Sequence, residues 1–151
     1  MLDEILTADR VAVDVDCESW RDAVRACGAL LVRAGDVEEP FIQSMIEVVE
    51  EFGPYMILAP KVAFFHGRPS EAVKNTSLSF ITLKNAVVFE EYAGEVIKSA
   101  FAFGAIDKES HVQMLAGVAK LLQDKEFLEL ATENGSKQAI LETIRRASSP
   151  V

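Results

Sequence analysis

The chain opens with apolar positions spaced for a short helix, Leu2 to Ala8, then changes to the alternation RVAVDVD expected of a strand. Ser19 followed three residues later by Asp22 is a variant of the capping box, with Asp in place of Glu or Gln, and predicts a helix start. Trp20, Val24, Cys27, Leu31 and Ala34 then recur at helical spacing until Gly35 supplies a stop. A second helix is predicted from about Glu39 to Phe52. Phe41, Met45, Val48, Val49 and Phe52 would face inward and Glu47, Glu50 and Glu51 outward, with Gly53-Pro54 ending it.

The middle of the chain loses this period. MILA, VAFF, SLSFITL, AVVF and EVIKSAFAFGAI are short apolar runs bounded by Pro, Gly, Asn or Lys, and each predicts a strand. From Asp107 the helical period returns in ESHVQMLAGVAKLLQD, KEFLELATEN and KQAILETIRRA, the second closed by Asn134-Gly135. Strand, two helices, several strands and three helices predict an α/β fold whose sheet is covered by helices on both faces. Several strands follow one another without a helix between them, so a purely parallel sheet is not expected. No repeat, low-complexity tract or linker divides residues 1–151, and one domain is the expectation.

Composition narrows the classes of function. Half the residues are apolar and 26% are charged, as in an ordinary globular chain, and no run approaches the roughly 18 apolar residues of a membrane span. The acidic start MLDEILTADR lacks the basic and apolar regions of a signal peptide. A net charge of −9 argues against nucleic acid as a partner and suits either a partner with a basic face or a merely acidic surface. Cys17 and Cys27 fit no zinc or redox spacing, and the only two histidines lie far from them, so no metal is expected. Cys27 falls on the apolar stripe of its helix and reads as a buried free thiol in a reducing, cytoplasmic compartment.

The candidate chemistry gathers at the two histidines. His66 ends the run Val62 to Phe65 and precedes Gly67-Arg68-Pro69. At the carboxyl end of a buried strand it would stand where open α/β sheets hold ligands. Gly67 would let backbone approach a ligand, and Arg68 could donate to an oxyanion. An imidazole there can act as a nucleophile; a hydrogen-bonded structural histidine fits the same residues. His111 lies in a first helical turn with Asp107 or Ser110 as N-cap, where the helix dipole would favour the neutral ring and a phosphate could be bound. Met114 and Val118 continue that face, so a partly buried capping-turn histidine fits equally. If the strands before the two histidines point the same way, both rings reach one edge of the sheet, and phosphoryl relay becomes the simplest chemistry.

These residues carry a resemblance. GPYMILAPKVAFFHGRPSEAVKNTSLSFITLK, with the WRDAV helix, EEPFIQSMIEVVEEFGPY and SHVQML, resembles enzyme IIA domains of the mannitol/fructose type in the phosphoenolpyruvate-dependent sugar phosphotransferase system. The GPY…LAP…HGRP combination looks most like the ascorbate-specific branch. The resemblance implies a three-layer α/β/α sandwich with a mixed sheet, forming one enzyme IIA phosphocarrier domain over 1–151. It implies that His66 accepts a phosphoryl group from the carrier protein HPr and passes it to a cysteine of a cognate enzyme IIB, serving sugar uptake through the membrane permease enzyme IIC. His111 would stabilise the phosphohistidine and Arg68 would balance its charge, with no cofactor. Relatives that regulate other proteins by phosphorylation state leave a regulatory binding module as the alternative, and oligomeric state is left open, a homodimer included.

Two positions depart from the family pattern. Phe65 stands where most members have proline before the active histidine, and Glu50 stands where the mannitol branch carries an arginine. A phosphoryl group brings roughly −1.5 to −2 charge. In a chain at −9, Arg68, His111 and local N–H groups must offset it. Phe64, Phe65 and nearby apolar residues are expected to supply the docking surface for partners.

Overall fold

The computed structural model describes residues 2–53, 57–89, 91 and 94–148. Pro54, Tyr55 and Met56 of the quoted motifs lie outside them. Helix α1 spans Leu2–Ile5, shorter than the spacing predicts. A separate 3₁₀ turn, Ala8–Arg10, leads into strand β1, Val11–Val15. Helices α2 (Trp20–Arg33) and α3 (Pro40–Phe52) follow, then strands β2 (Ile57–Ala59), β3 (Val62–His66), β4 (Ser77–Phe89) and β5 (Glu95–Gly104). Helices α4 (Lys108–Leu122), α5 (Lys125–Thr132) and α6 (Lys137–Ser148) complete the described chain.

The sequence signals for the helix ends work as expected. Ser19 caps α2, its hydroxyl accepting from the Asp22 N–H at 3.2 Å. At the other end Gly35 takes φ 79°, and the N–H groups of Gly35 and Asp36 donate to Val32 and Leu31 carbonyls. That pairing is a Schellman closure, which needs a left-handed residue and therefore favours glycine. Asn134 at φ 55° closes α5 in the same way, with the Gly135 N–H donating to Leu130.

The strands form one mixed sheet in the order β1-β4-β5-β3-β2. Pairing is parallel for β1 with β4 and for β3 with β5, and antiparallel for β4 with β5 and for β2 with β3. SLSFITL and AVVF, read as two strands, are one. The register of β4 against β5 shifts between Thr82 and Val87, which absorbs the exposed Lys84, Asn85 and Ala86. The Lys98 ammonium satisfies the carbonyls of Leu83 and Lys84 beside this irregularity.

Each face of the sheet carries its own core, giving the α/β/α sandwich. Trp20, Cys27, Met45, Phe65 and Ile81 pack under α2 and α3, while Phe64, Phe80, Phe101, Met114 and Phe127 pack under α1 and α4–α6. Strand alternation sends Phe64 and Phe65 to opposite cores. They are 4% and 0% exposed, so neither supplies the docking surface expected of them. Phe52, placed inward by helical spacing, is instead 57% exposed at the last position of α3. Both cysteines are free and buried, and burial pushes the Cys17 thiol up to about 11.

Candidate functional site

Strand β3 ends at His66, which pairs in register with Phe103 on the parallel strand β5. Period-two alternation turns the His66 ring to the Phe64 side of the sheet, toward α4. Strand β5 ends one residue later at Gly104, and Asp107 then caps α4, its carboxylate accepting from the Ser110 N–H at 2.8 Å. This short turn delivers His111. Its ring meets Phe103 edge-on with centroids 5.0 Å apart. Phe64 completes the floor, 5.4 Å from Phe103 and 6.3 Å from His66. The two strands do point the same way, and the two histidines do come together.

His66 is half-buried, with its Nδ1 out of contact with solvent. Burial lowers its pKa below the ordinary 6.5, a backbone interaction with Phe64 opposes that, and His111 adds a smaller push in the same downward direction as burial. The balance favours neutral imidazole, the form able to act as a nucleophile. No group of three or more His, Cys, Asp or Glu side chains able to hold a metal occurs among the described residues.

Gly67 and Arg68 do something the sequence did not suggest. A Cβ on Gly67 would lie 2.7 Å from Phe41 Cε1 and 2.8 Å from Ser44 Oγ, so the missing side chain lets the loop close on α3. The Arg68 N–H donates to Ser44 Oγ at 3.0 Å. Its guanidinium pairs with Glu51 and lies 6.0 Å over the Phe52 ring, against the end of α3. Glu50 pairs with Arg21 on α2 at 2.9 Å, so this departure from the mannitol pattern is tied to a neighbouring helix. Phe65 fills the α2–α3 core, which explains an aromatic residue before the histidine.

The loop after His66 is pinned from below. Buried Asp36 receives Arg10 Nε at 2.7 Å and Nη2 at 3.1 Å, and Asn75 Nδ2 at 3.2 Å. Its carbonyl accepts from the N–H groups of Lys74 and Asn75. Ser44, Asp36, Thr76 and Phe103 were all missed by sequence reasoning. Phe103 becomes visible as a site residue only once β3 is paired with β5, because that register alone sets it opposite His66.

The sequence model described as "Phosphoenolpyruvate-dependent sugar phosphotransferase system, EIIA 2" matches residues 4–147. The ascorbate-specific PTS system EIIA component of Escherichia coli (strain K12) is 30% identical over 148 residues, covering 97% of this chain and 96% of that protein. The solution structure of the mannitol-specific cryptic phosphotransferase enzyme IIA of Escherichia coli has a TM-score of 0.85 at 27% identity, covering 96% of this chain and 98% of its own. Enzyme IIA of mannitol from Escherichia coli, solved in complex with its phosphorylated enzyme IIB, has a TM-score of 0.80 at 22% identity, covering 93% and 97%. Sequence match and fold agree from α1 to α6, and the chain belongs to the EIIA 2 family of the phosphoenolpyruvate-dependent sugar phosphotransferase system.

Proposed function

We propose that this protein is a phosphocarrier in which His66 accepts a phosphoryl group from phosphorylated HPr and hands it to a cysteine of an enzyme IIB. The observation that carries this reading is the meeting of His66 and His111 around Phe103 at the carboxyl ends of parallel β3 and β5. The neutral His66 ring attacks phosphorus through Nε2, because Nδ1 is buried. A P–N bond forms there as the P–N bond to the donor imidazole breaks. In the second step the partner thiolate attacks, the P–N bond breaks, and its electron pair returns to His66. Such transfer demands position and charge compensation more than covalent machinery. His111 donates to the phosphoryl oxygens from the start of α4, where the helix dipole adds attraction. Arg68 joins them by exchanging Glu51 for the new anion.

Partners dock on exposed apolar residues around the site. Ile106 and Val112, 58% and 60% exposed, flank the turn and helix start that carry His111, and Phe52 stands beside Arg68. A relay partner must also leave, so each interface should bury less than about 1,200 Å² in total. The ascorbate-specific relative favours ascorbate as the sugar, and the neighbour solved with phosphorylated enzyme IIB favours that class of acceptor.

The test is incubation with phosphoenolpyruvate, enzyme I and HPr, followed by assay for acid-labile phosphate. Wild type should be labelled and His66→Ala should not; an unlabelled wild type or a labelled His66→Ala overturns the proposal. His111→Ala should accept phosphate yet transfer it poorly. Transfer to ascorbate-type but not mannitol-type enzyme IIB would assign the sugar.

A further inference from the structure

A single hydroxyl joins the two halves of the site. Thr76 is the last residue of the loop that follows His66, immediately before β4. Its Oγ1 accepts from the Ile106 N–H at 3.2 Å and donates to Ser110 Oγ at 2.8 Å. Ser110 in turn donates to the capping carboxylate of Asp107 at 2.7 Å. Ile106, Asp107 and Ser110 make up the turn and first helical residues that set His111 in place. The neighbouring Asn75 is anchored to Asp36, and Asp36 to Arg10, so Thr76 is presented from a fixed base. The hydrogen bonds run in one direction, from Ile106 through Thr76 and Ser110 to Asp107.

We propose that Thr76 is a positioning residue for the relay, locking the turn before α4 to the His66 loop so that His111 stands over the phosphoryl group. Resting on the phosphocarrier reading above, this assigns Thr76 to the second transfer. There the P–N bond at His66 breaks, the P–S bond to the partner thiolate forms, and the electron pair returns to His66. Both hydrogen bonds of the Thr76 hydroxyl go to the turn and first residues of α4, and neither goes to His66 or β3, so acceptance by His66 is assigned to β3 and its pairing with β5. One lost hydrogen bond in a half-buried site corresponds to roughly a three- to tenfold change in rate.

The experiment compares acceptance from phosphorylated HPr with transfer to enzyme IIB for wild type, Thr76→Val, Thr76→Ser, His111→Ala and Thr76→Val/His111→Ala. Thr76→Val should accept at the wild-type rate and transfer roughly three- to tenfold more slowly, with Thr76→Ser restoring transfer. The double variant should transfer no more slowly than His111→Ala, because Thr76 acts only through His111. Unchanged transfer in Thr76→Val, equal slowing of both steps, or a further loss on top of His111→Ala overturns the assignment. If Thr76→Val does not fold, Thr76→Ser carries the test: preserved transfer supports the hydroxyl lock and lost transfer overturns it. An unlabelled wild type overturns the relay and this inference together, whereas a labelled wild type beside an unaffected Thr76→Val overturns this inference alone.

Discussion

Two Arg–carboxylate pairs flank the loop after His66, and they differ in almost everything but composition. Arg10 and Asp36 form a two-pronged contact in which the carboxylate is buried, shared with Asn75 and backed by two backbone bonds to its carbonyl. Arg68 and Glu51 form a single contact with both side chains half exposed. The first holds architecture, because an ion taken from water must be fully partnered to persist. The second is cheap to open, because water can replace either partner. One end of the loop is therefore fixed and the other can exchange its counter-ion.

The strongest challenge to this contrast is Asp36→Ala. It leaves the Arg10 guanidinium and the Asn75 amide without their shared acceptor and should cost about 3 kcal/mol in denaturant unfolding. A loss below about 1 kcal/mol would erase the distinction between the pairs. Next comes Gly67→Ala, whose new methyl meets Phe41 and Ser44, at about 2 kcal/mol by overpacking. Because the loop itself must shift, labelling of His66 should fall with stability; a stable variant labelled like wild type would show that the close approach to α3 is incidental. Glu51→Gln should change stability by less than about 1 kcal/mol while raising the steady-state label on His66, and Arg68→Ala should lower it. Equal labelling in both variants would remove Arg68 from the charge balance.

The smallest effect is a pH dependence. The folded pKa of His66 lies below 6.5, so the unfolded chain binds the proton first as pH falls. The contribution of neutral His66 to stability is full above pH 6.5 and declines below it until the folded ring protonates. His66→Gln should flatten that part of the stability curve; an unchanged curve would mean that burial does not govern the ring.

Helix starts and stops were legible in the sequence because their signals are local: Ser19, Gly35, Asp107 and Asn134 each act within a turn of themselves. The continuity of β4 was hidden because Lys84-Asn85-Ala86 look like a turn, while the group that satisfies the irregular backbone, Lys98, sits on another strand. His66 and His111 were visible as candidates from residue type and place. Their meeting required the β3–β5 pairing, which no local signal records. Phe64 and Phe65 misled because apolar residues beside a histidine resemble a sticky rim, whereas a strand covered on both faces spends them on two cores. The exposed rim falls to Ile106, Val112 and Phe52, at a turn and at helix ends.

The sheet order has a kinetic consequence. Strands β4 and β5 are sequence neighbours and pair antiparallel, so their contacts close early with little loop entropy. Strand β3 meets β5 only by reaching across the chain that contains β4, a later and slower closure. His66 and Phe103 sit on opposite sides of that seam. Amide exchange should therefore find the β4–β5 ladder more protected than the β3–β5 seam, with opening of the seam releasing His66 while the turn that bears His111 stays folded.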